Sequence, residues 1–340
     1  MAIRYAPAAA ARFLLRIQGP LTPSLARRSL LRHGSEIDVY QVQAKPTGTV
    51  VFIHGLNSLG HRDPRVERFA AALAKAGFRA VIPAVASLRR LWINGDQPRQ
   101  VQNLLEAIAG DRELVPSGRF SVMAVSFSGN FALRAAASPR LSQQLNAVGL
   151  IGAYADVDKV CDFLCTAKRA DPYGHLLLLR SYYTEFGQPS PGFIHAIERA
   201  IQRSIDEPSR WSFESVLSPS DPDQSHLLHL LQDPDARVAT RGLIKAALDG
   251  AWRDYVPPVA SLPPDLPIFL LHGRSDRVIP VGQSRRLAQL LAVRGVSHRL
   301  CVTRFLTHGD SRVDWRVLPE VAHVWSSFSW FFGRCWRVRQ

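Results

Sequence analysis

Ser121-Val-Met-Ala-Val-Ser-Phe-Ser-Gly-Asn130 runs from an apolar, β-branched stretch into small and polar residues. Phe131-Ala-Leu-Arg-Ala-Ala-Ala137 follows at once with a helical pattern. A buried strand that passes into a helix without a loop must turn sharply, and the residue at the apex is forced away from the sheet. The apex here is Ser126, flanked two residues away by Ala124 and Ser128, with Gly129 next. A nucleophile elbow has the usual form G-x-S-x-G, and this chain keeps only small-x-Ser-x-small. Taken alone, the stretch fits a serine that caps a helix better than a catalytic one. Whether Ser126 has chemistry to do depends on partners elsewhere.

Outward from this stretch the chain alternates strand and helix. Strands are expected over 37–43, 48–53, 78–83 and 147–152, with amphipathic helices over 66–76 and 98–109. That rhythm predicts βαβ units and a mostly parallel central sheet with helices on both faces. It breaks after Gly152. Residues 155–262 hold helical patterns at 157–168, 175–185 and 191–205, divided by proline and acidic breaks, and no clear buried strand. This region reads as an inserted helical lid. The sheet rhythm resumes at 266–272, followed by a helix over 282–293, a strand over 298–302 and a last amphipathic helix over 312–336. The expected division is a basic N-terminal segment at 1–34, an α/β core at 35–154 and 263–340, and the lid at 155–262.

Three further pieces fall just beyond strands, at the sheet edge where open α/β sheets bind ligands. His54-Gly-Leu-Asn57 makes a tight turn that can aim the Leu56 N–H at the point the elbow serves, alongside the N–H of Phe127 at the start of the elbow helix. His272-Gly-Arg-Ser-Asp-Arg-Val-Ile-Pro280 places Asp276 in a loop where an acid can orient a histidine. Thr307-His308-Gly-Asp310 puts His308 on a glycine-flanked loop. Each piece alone has an ordinary reading: a strand end, a turn residue, a solvated histidine.

Together they occur in the order Ser, Asp, His, and on these residues the chain resembles the α/β-hydrolase superfamily over about residues 37–153 and 263–336. The resemblance implies a serine hydrolase. Ser126 would be the nucleophile, His308 the base and Asp276 the group that fixes the imidazole, with Leu56 and Phe127 amides as the oxyanion hole. Some members take the acid from the preceding strand end, which makes Asp156 and Asp158 the alternatives to Asp276. The residues 84–91 depart from the Asp–Arg–Gly–His stretch of many members. Ser128 falls in the first turn of the helix, a capping position, and His323 lies within the last helical pattern, a poor place for a base. The resemblance requires no metal and no cofactor. The expected substrate is a small-molecule carboxylic ester with an apolar acyl chain. Thioester, lactone, peptide or acyl-transfer chemistry, or a non-catalytic binding protein on the same fold, are the alternatives.

Composition sets the outer bounds. The 340 residues are 46% hydrophobic and 21% charged, as in globular proteins with a substantial core. No uncharged apolar run is long enough to span a bilayer. The four cysteines form no C-x-x-C pair, so neither a zinc site nor a disulfide framework is expected. The net charge is +14, with arginines concentrated at both ends and no acid before Glu36. No nucleic-acid-binding motif accompanies this charge. Peripheral contact with an anionic membrane surface is as consistent with it as plain arginine enrichment. Residues 9–16 could form a short basic amphipathic helix: an anchor, an organellar targeting segment, or a helix packed over the sheet edge. The expected compartment is the cytoplasm.

Overall fold

The computed structural model describes residues 5–17, 19, 27–183, 188–206, 212–213, 215–247, 252–304 and 318–336. Its strands are β1 (Arg27–Arg32), β2 (Ser35–Tyr40), β3 (Thr49–Ile53), β4 (Arg79–Pro83), β5 (Phe120–Val125), β6 (Leu145–Ile151), β7 (Ile268–Gly273) and β8 (His298–Thr303). They form one sheet in the order β1-β2-β4-β3-β5-β6-β7-β8. β1 and β2 are an antiparallel hairpin and β2 runs antiparallel to β4; from β4 to β8 every pair is parallel. All five residues of β3 are buried, as are all six of β7. Parallel strands covered on both faces need apolar side chains throughout, which is why these runs lack polar alternation.

The helices are α1 (Pro7–Ile17), α2 (Pro64–Ala76), α3 (Ala86–Arg89), α4 (Gln97–Gly110), α5 (Phe127–Ala136), α6 (Pro139–Ser142), α7 (Val157–Thr166), α8 (Pro172–Tyr182), α9 (Pro191–Asp206), α10 (Pro222–Gln232), α11 (Pro234–Ala247), α12 (Trp252–Tyr255), α13 (Val281–Val293) and α14 (Leu318–Cys335). The chain forms two compact units. One holds the sheet and comprises Met1–Leu91, Asp96–Ala155 and Tyr255–Gln340; the other comprises Trp92–Gly95 and Asp156–Asp254.

In the sheet unit, α1, α2 and α14 share one core with Val50 and Phe52 of β3, Met123 of β5 and Phe269 of β7. Phe13 of α1 lies 5.1 Å from Phe69, 4.6 Å from Phe328 and 5.3 Å from Phe332, ring centre to ring centre. A buried Phe of this kind contributes about 1.5–3 kcal/mol by leaving water. Of the aromatic residues in the last helix, Phe328, Trp330, Phe331 and Phe332 are core, while Trp325, and Trp336 just after the helix, are exposed.

The N-terminal segment holds more than a helix. α1 is packed into the core, and residues 27–32, which read as a basic arm, are β1. Its arginines are matched by acids of neighbouring elements: Arg27 lies 2.7 Å from Glu67 and 3.3 Å from Asp38, and Arg28 and Arg32 lie 2.6 and 2.5 Å from Glu113.

The second unit is helical. Arg237 of α11 donates to the Cys165 and Leu164 carbonyls at the end of α7 (2.5 and 3.3 Å), filling acceptors that a helix C-terminus leaves open. Ser181 of α8 accepts the Ile93 N–H through its hydroxyl (2.9 Å), which ties the short piece at 92–95 to this unit. Among the described residues, no helix is long and apolar enough to cross a membrane.

Candidate active site

Ser126 joins β5 to α5 with φ 59° and ψ −133°, a backbone region that residues bearing a Cβ rarely occupy. Its neighbours hold it there. The Ser126 N–H donates to Ile151 O at the end of β6 (2.7 Å), and the Gly129 N–H donates to Ser126 O (2.9 Å). Such a conformation costs about 1–3 kcal/mol and persists only where the surroundings over-determine it. The Ser126 side chain makes no capping bond to its helix. A helix cap does not account for this residue.

The two missing glycines have simple substitutes. Ala124 is buried opposite Ile53 in the register of β5 on β3. Ser128 is buried beneath the turn and folds back on the strand instead of capping the helix. Its hydroxyl donates to Val125 O (2.7 Å), lies 3.3 Å from Ile53 O, and accepts from the Val125 N–H (3.1 Å).

The turn after β3 passes beside the elbow: a Cβ on Gly55 would lie 3.4 Å from Val125 O and 3.6 Å from the Ser126 Cβ. Leu56 follows, half-buried. Phe127 is the first residue of α5, where an N–H has no acceptor within the helix.

His54 fixes this turn. The Val85 N–H donates to His54 Nε2 (3.2 Å), so the ring proton sits on Nδ1, which donates to Gly55 O (2.8 Å). Burial drives the ring's pKa down to about 4 against the opposing pull of the Gly55 bond, so His54 is neutral and locks the loop. Further along, Asn57 accepts from the Leu59 N–H (2.8 Å) and donates to Asp63, which caps α2 through the Arg65 N–H (2.7 Å). Burial would raise the Asp63 pKa, but hydrogen bonds and charge from Arg65 outweigh it and hold the carboxyl below its usual range.

Asp276 follows β7, two strands from the elbow, roughly 10 Å at normal strand spacing. Its Oδ1 accepts from the Val278 and Ile279 amides (2.8 and 2.9 Å). Its Oδ2 lies over the end of β6, 3.5 Å from where a Gly152 Cβ would stand. Gly152, at φ +65°, is the residue after the Ile151 that holds Ser126. The sheet therefore brings Ser126, the turn at 54–57 and Asp276 to one edge, on adjoining strand ends. The alternative acids have other work in the helical unit: Asp156 caps α7 through the Lys159 N–H (3.1 Å), and Asp158 lies 3.6 Å from Lys245. His323 is exposed on α14. His308 and the rest of Thr307–Asp310 lie outside the described residues.

Two residues the sequence reading gave no role also support this edge. His272, at the end of β7, and Ser284, on α13, are buried and bonded to each other. A histidine closing an otherwise apolar strand was the available signal. Among the described residues, one group outside the edge has metal-ligand composition: Glu36, Asp38 and His61 hold ligand atoms within 4.8 Å of one another. Arg62 bonds Glu36, and Arg27 and Arg62 lie 3.3 and 3.6 Å from Asp38. Two guanidiniums already balance the two carboxylates, so a divalent cation would meet positive charge there, and the group is an ion-pair network.

No family model and no curated protein matches this chain. Solved structures do. A lipase in its open form matches over 92% of this chain and 99% of its own, with a TM-score of 0.51 and 19% identity. The acylaminoacyl peptidase of Pyrococcus horikoshii matches over 93% of this chain with a TM-score of 0.51 and 14% identity. This chain spans 42% of that peptidase's length. The strand order, the crossovers and these neighbours make the architecture the α/β-hydrolase fold.

Proposed function

We propose that the protein is a serine hydrolase that cleaves carboxylic esters bearing an apolar acyl group. The observation that carries this reading is the strained backbone of Ser126, which holds a hydroxyl at a strand's carboxyl end with no capping bond to its helix. Ser126 Oγ attacks the ester carbonyl while His308 takes its proton. Asp276 keeps that imidazole in the productive tautomer and stabilises its charged form. The amides of Leu56 and Phe127 hold the tetrahedral oxyanion, an interaction of which each donor is worth about 2.7–4 kcal/mol of barrier. His308 then returns the proton to the leaving alcohol, and water repeats the cycle on the acyl-enzyme.

The ester preference is supported by the helical insertion between β6 and β7, which acts in this reading as a lid that selects the acyl group. Thioester, lactone, peptide or acyl-transfer chemistry would employ the same three side chains, and the neighbours' names already span a lipase and a peptidase. A fluorophosphonate probe tests the nucleophile. Labelling is expected in the native protein and in Ser128→Ala, and none in Ser126→Ala. Labelling that survives in Ser126→Ala, or an absence of labelling in folded native protein, would overturn the proposal, the latter in favour of a binding protein without turnover. Nitrophenyl esters of rising chain length then measure the acyl preference, and hydrolysis is expected to fall about a million-fold in Ser126→Ala.

A further inference from the structure

His272 is buried behind Asp276, and its contacts can be counted in protons. Its Nε2 is 2.8 Å from Ile279 O. Its Nδ1 is 2.6 Å from Ser284 Oγ, and Ser284 Oγ is 2.8 Å from Ala153 O. The two carbonyls can only accept, so three contacts need three protons. A neutral histidine and a serine bring two. If the serine proton bonds Ala153 O, a neutral ring whose proton bonds Ile279 O faces Oγ at 2.6 Å lone pair to lone pair, and one whose proton bonds Oγ faces Ile279 O in the same way at 2.8 Å. If that proton turns to Nδ1 instead, Oγ and the Ala153 carbonyl face each other at 2.8 Å with none between them. Only a doubly protonated ring satisfies all three contacts.

We propose that His272 is held as an imidazolium and is the buried counter-charge of Asp276, acting as a positioning residue for the candidate acid. Asp276 Oδ2 lies 3.5 Å from His272 Nε2, close enough to balance a charge that would otherwise be very costly to bury. The loop's other charged groups, Arg274 and Arg277, are exposed, and Arg274 lies 3.7 Å from Glu320 of α14. From α13 the contact is the neutral Ser284, with Arg285 and Arg286 exposed, and from the end of β6 it is the Ala153 carbonyl. Asp276 is thus shared: Oδ1 is fixed by two loop amides, and Oδ2 lies beside His272 before the catalytic base gains its own proton.

The protonation state of His272 is independent of the hydrolase reading, but its consequence rests on that reading. A fixed cation beside Asp276 disfavours the second proton on His308, so removing it makes the base more basic. Two measurements separate the two statements. In protein labelled with ¹⁵N-histidine, the His272 ring, assigned by the signals that change in His272→Gln or, if that variant fails to fold, in Ser284→Ala, is expected to show two protonated nitrogens at neutral pH. One bare nitrogen at neutral pH would overturn the proposal, whatever the activity. In His272→Gln, the acid limb of the kcat/KM profile is expected to move up by roughly one pH unit. An unmoved limb with a doubly protonated ring in the native protein would overturn the positioning role and leave the charge assignment standing.

Discussion

A side chain at φ 59° pays in stability for its position, and at Ser126 that cost can be measured. Glycine occupies this region without steric penalty, at about 0.5–1 kcal/mol of added chain entropy in the unfolded state, against roughly 1–3 kcal/mol of strain relieved. Ser126→Gly is therefore expected to gain about 1 kcal/mol in urea unfolding while losing all probe labelling, whereas Ser126→Ala keeps the strain and gains nothing. Ser128→Ala should do the reverse. It strips the Val125 N–H and carbonyl of their hydroxyl partner, so it should lose about 1–2 kcal/mol and still label. An unchanged urea midpoint in Ser126→Gly would show that the turn is not strained in solution.

Between elements, the tightest test lies where β6 meets α14. A Cβ added to Gly149 would sit 3.0 Å from Met123 Cγ and 3.0 Å from Phe331 Cζ, in a core closed on all sides. Gly149→Ala is expected to cost about 1–3 kcal/mol by overpacking, read from the urea midpoint, with probe labelling at Ser126 retained at low denaturant. This scale also separates what was legible in the sequence from what was not. The parallel strands could be read because burial on both faces demands unbroken apolar runs, and the elbow could be read because strand passes to helix without a loop. β1 could not: Arg27, Arg28 and Arg32 become a strand only through β2 and through Glu67 and Glu113, acids distant in sequence. The role of His54 was hidden for the same reason: Val85, whose amide fixes the ring's tautomer, lies 31 residues away. In the helical insertion, α11 did not stand out as α7, α8 and α9 did, and of its side chains only Thr240 and Ile244 are buried.

Each of the two units carries a buried histidine that resists protonation, so the molecule as a whole should be sensitive to acid. In the sheet unit, burial lowers the His54 pKa to about 4, and in the helical unit burial, aided by the charge of Arg237, lowers that of His175 to about 3. Among the described residues, His175 Nε2 has no hydrogen-bond partner to offset its burial. The unfolded chain binds these protons near the ordinary histidine value of about 6.5. Above that pH neither state is protonated at these sites and their contribution to stability is fully present. As pH falls below about 6.5 the unfolded state alone takes up protons, and stability is lost progressively until the folded pKa values are reached. At about pH 5 each site has crossed some 1.5 units of that window, which corresponds to about 2 kcal/mol per histidine. Urea unfolding at about pH 7.5 and about pH 5 should therefore show a loss on the order of 2 kcal/mol in the helical unit, and in the sheet unit a loss of that size from His54 that a charged His272 offsets in part. His175→Leu should abolish the helical unit's share and His54→Gln that of the sheet unit, each leaving the other's slope intact. A pH dependence left unchanged in His54→Gln would mean that the His54 ring is reached by water, and would remove it as the neutral lock on the turn beside Ser126.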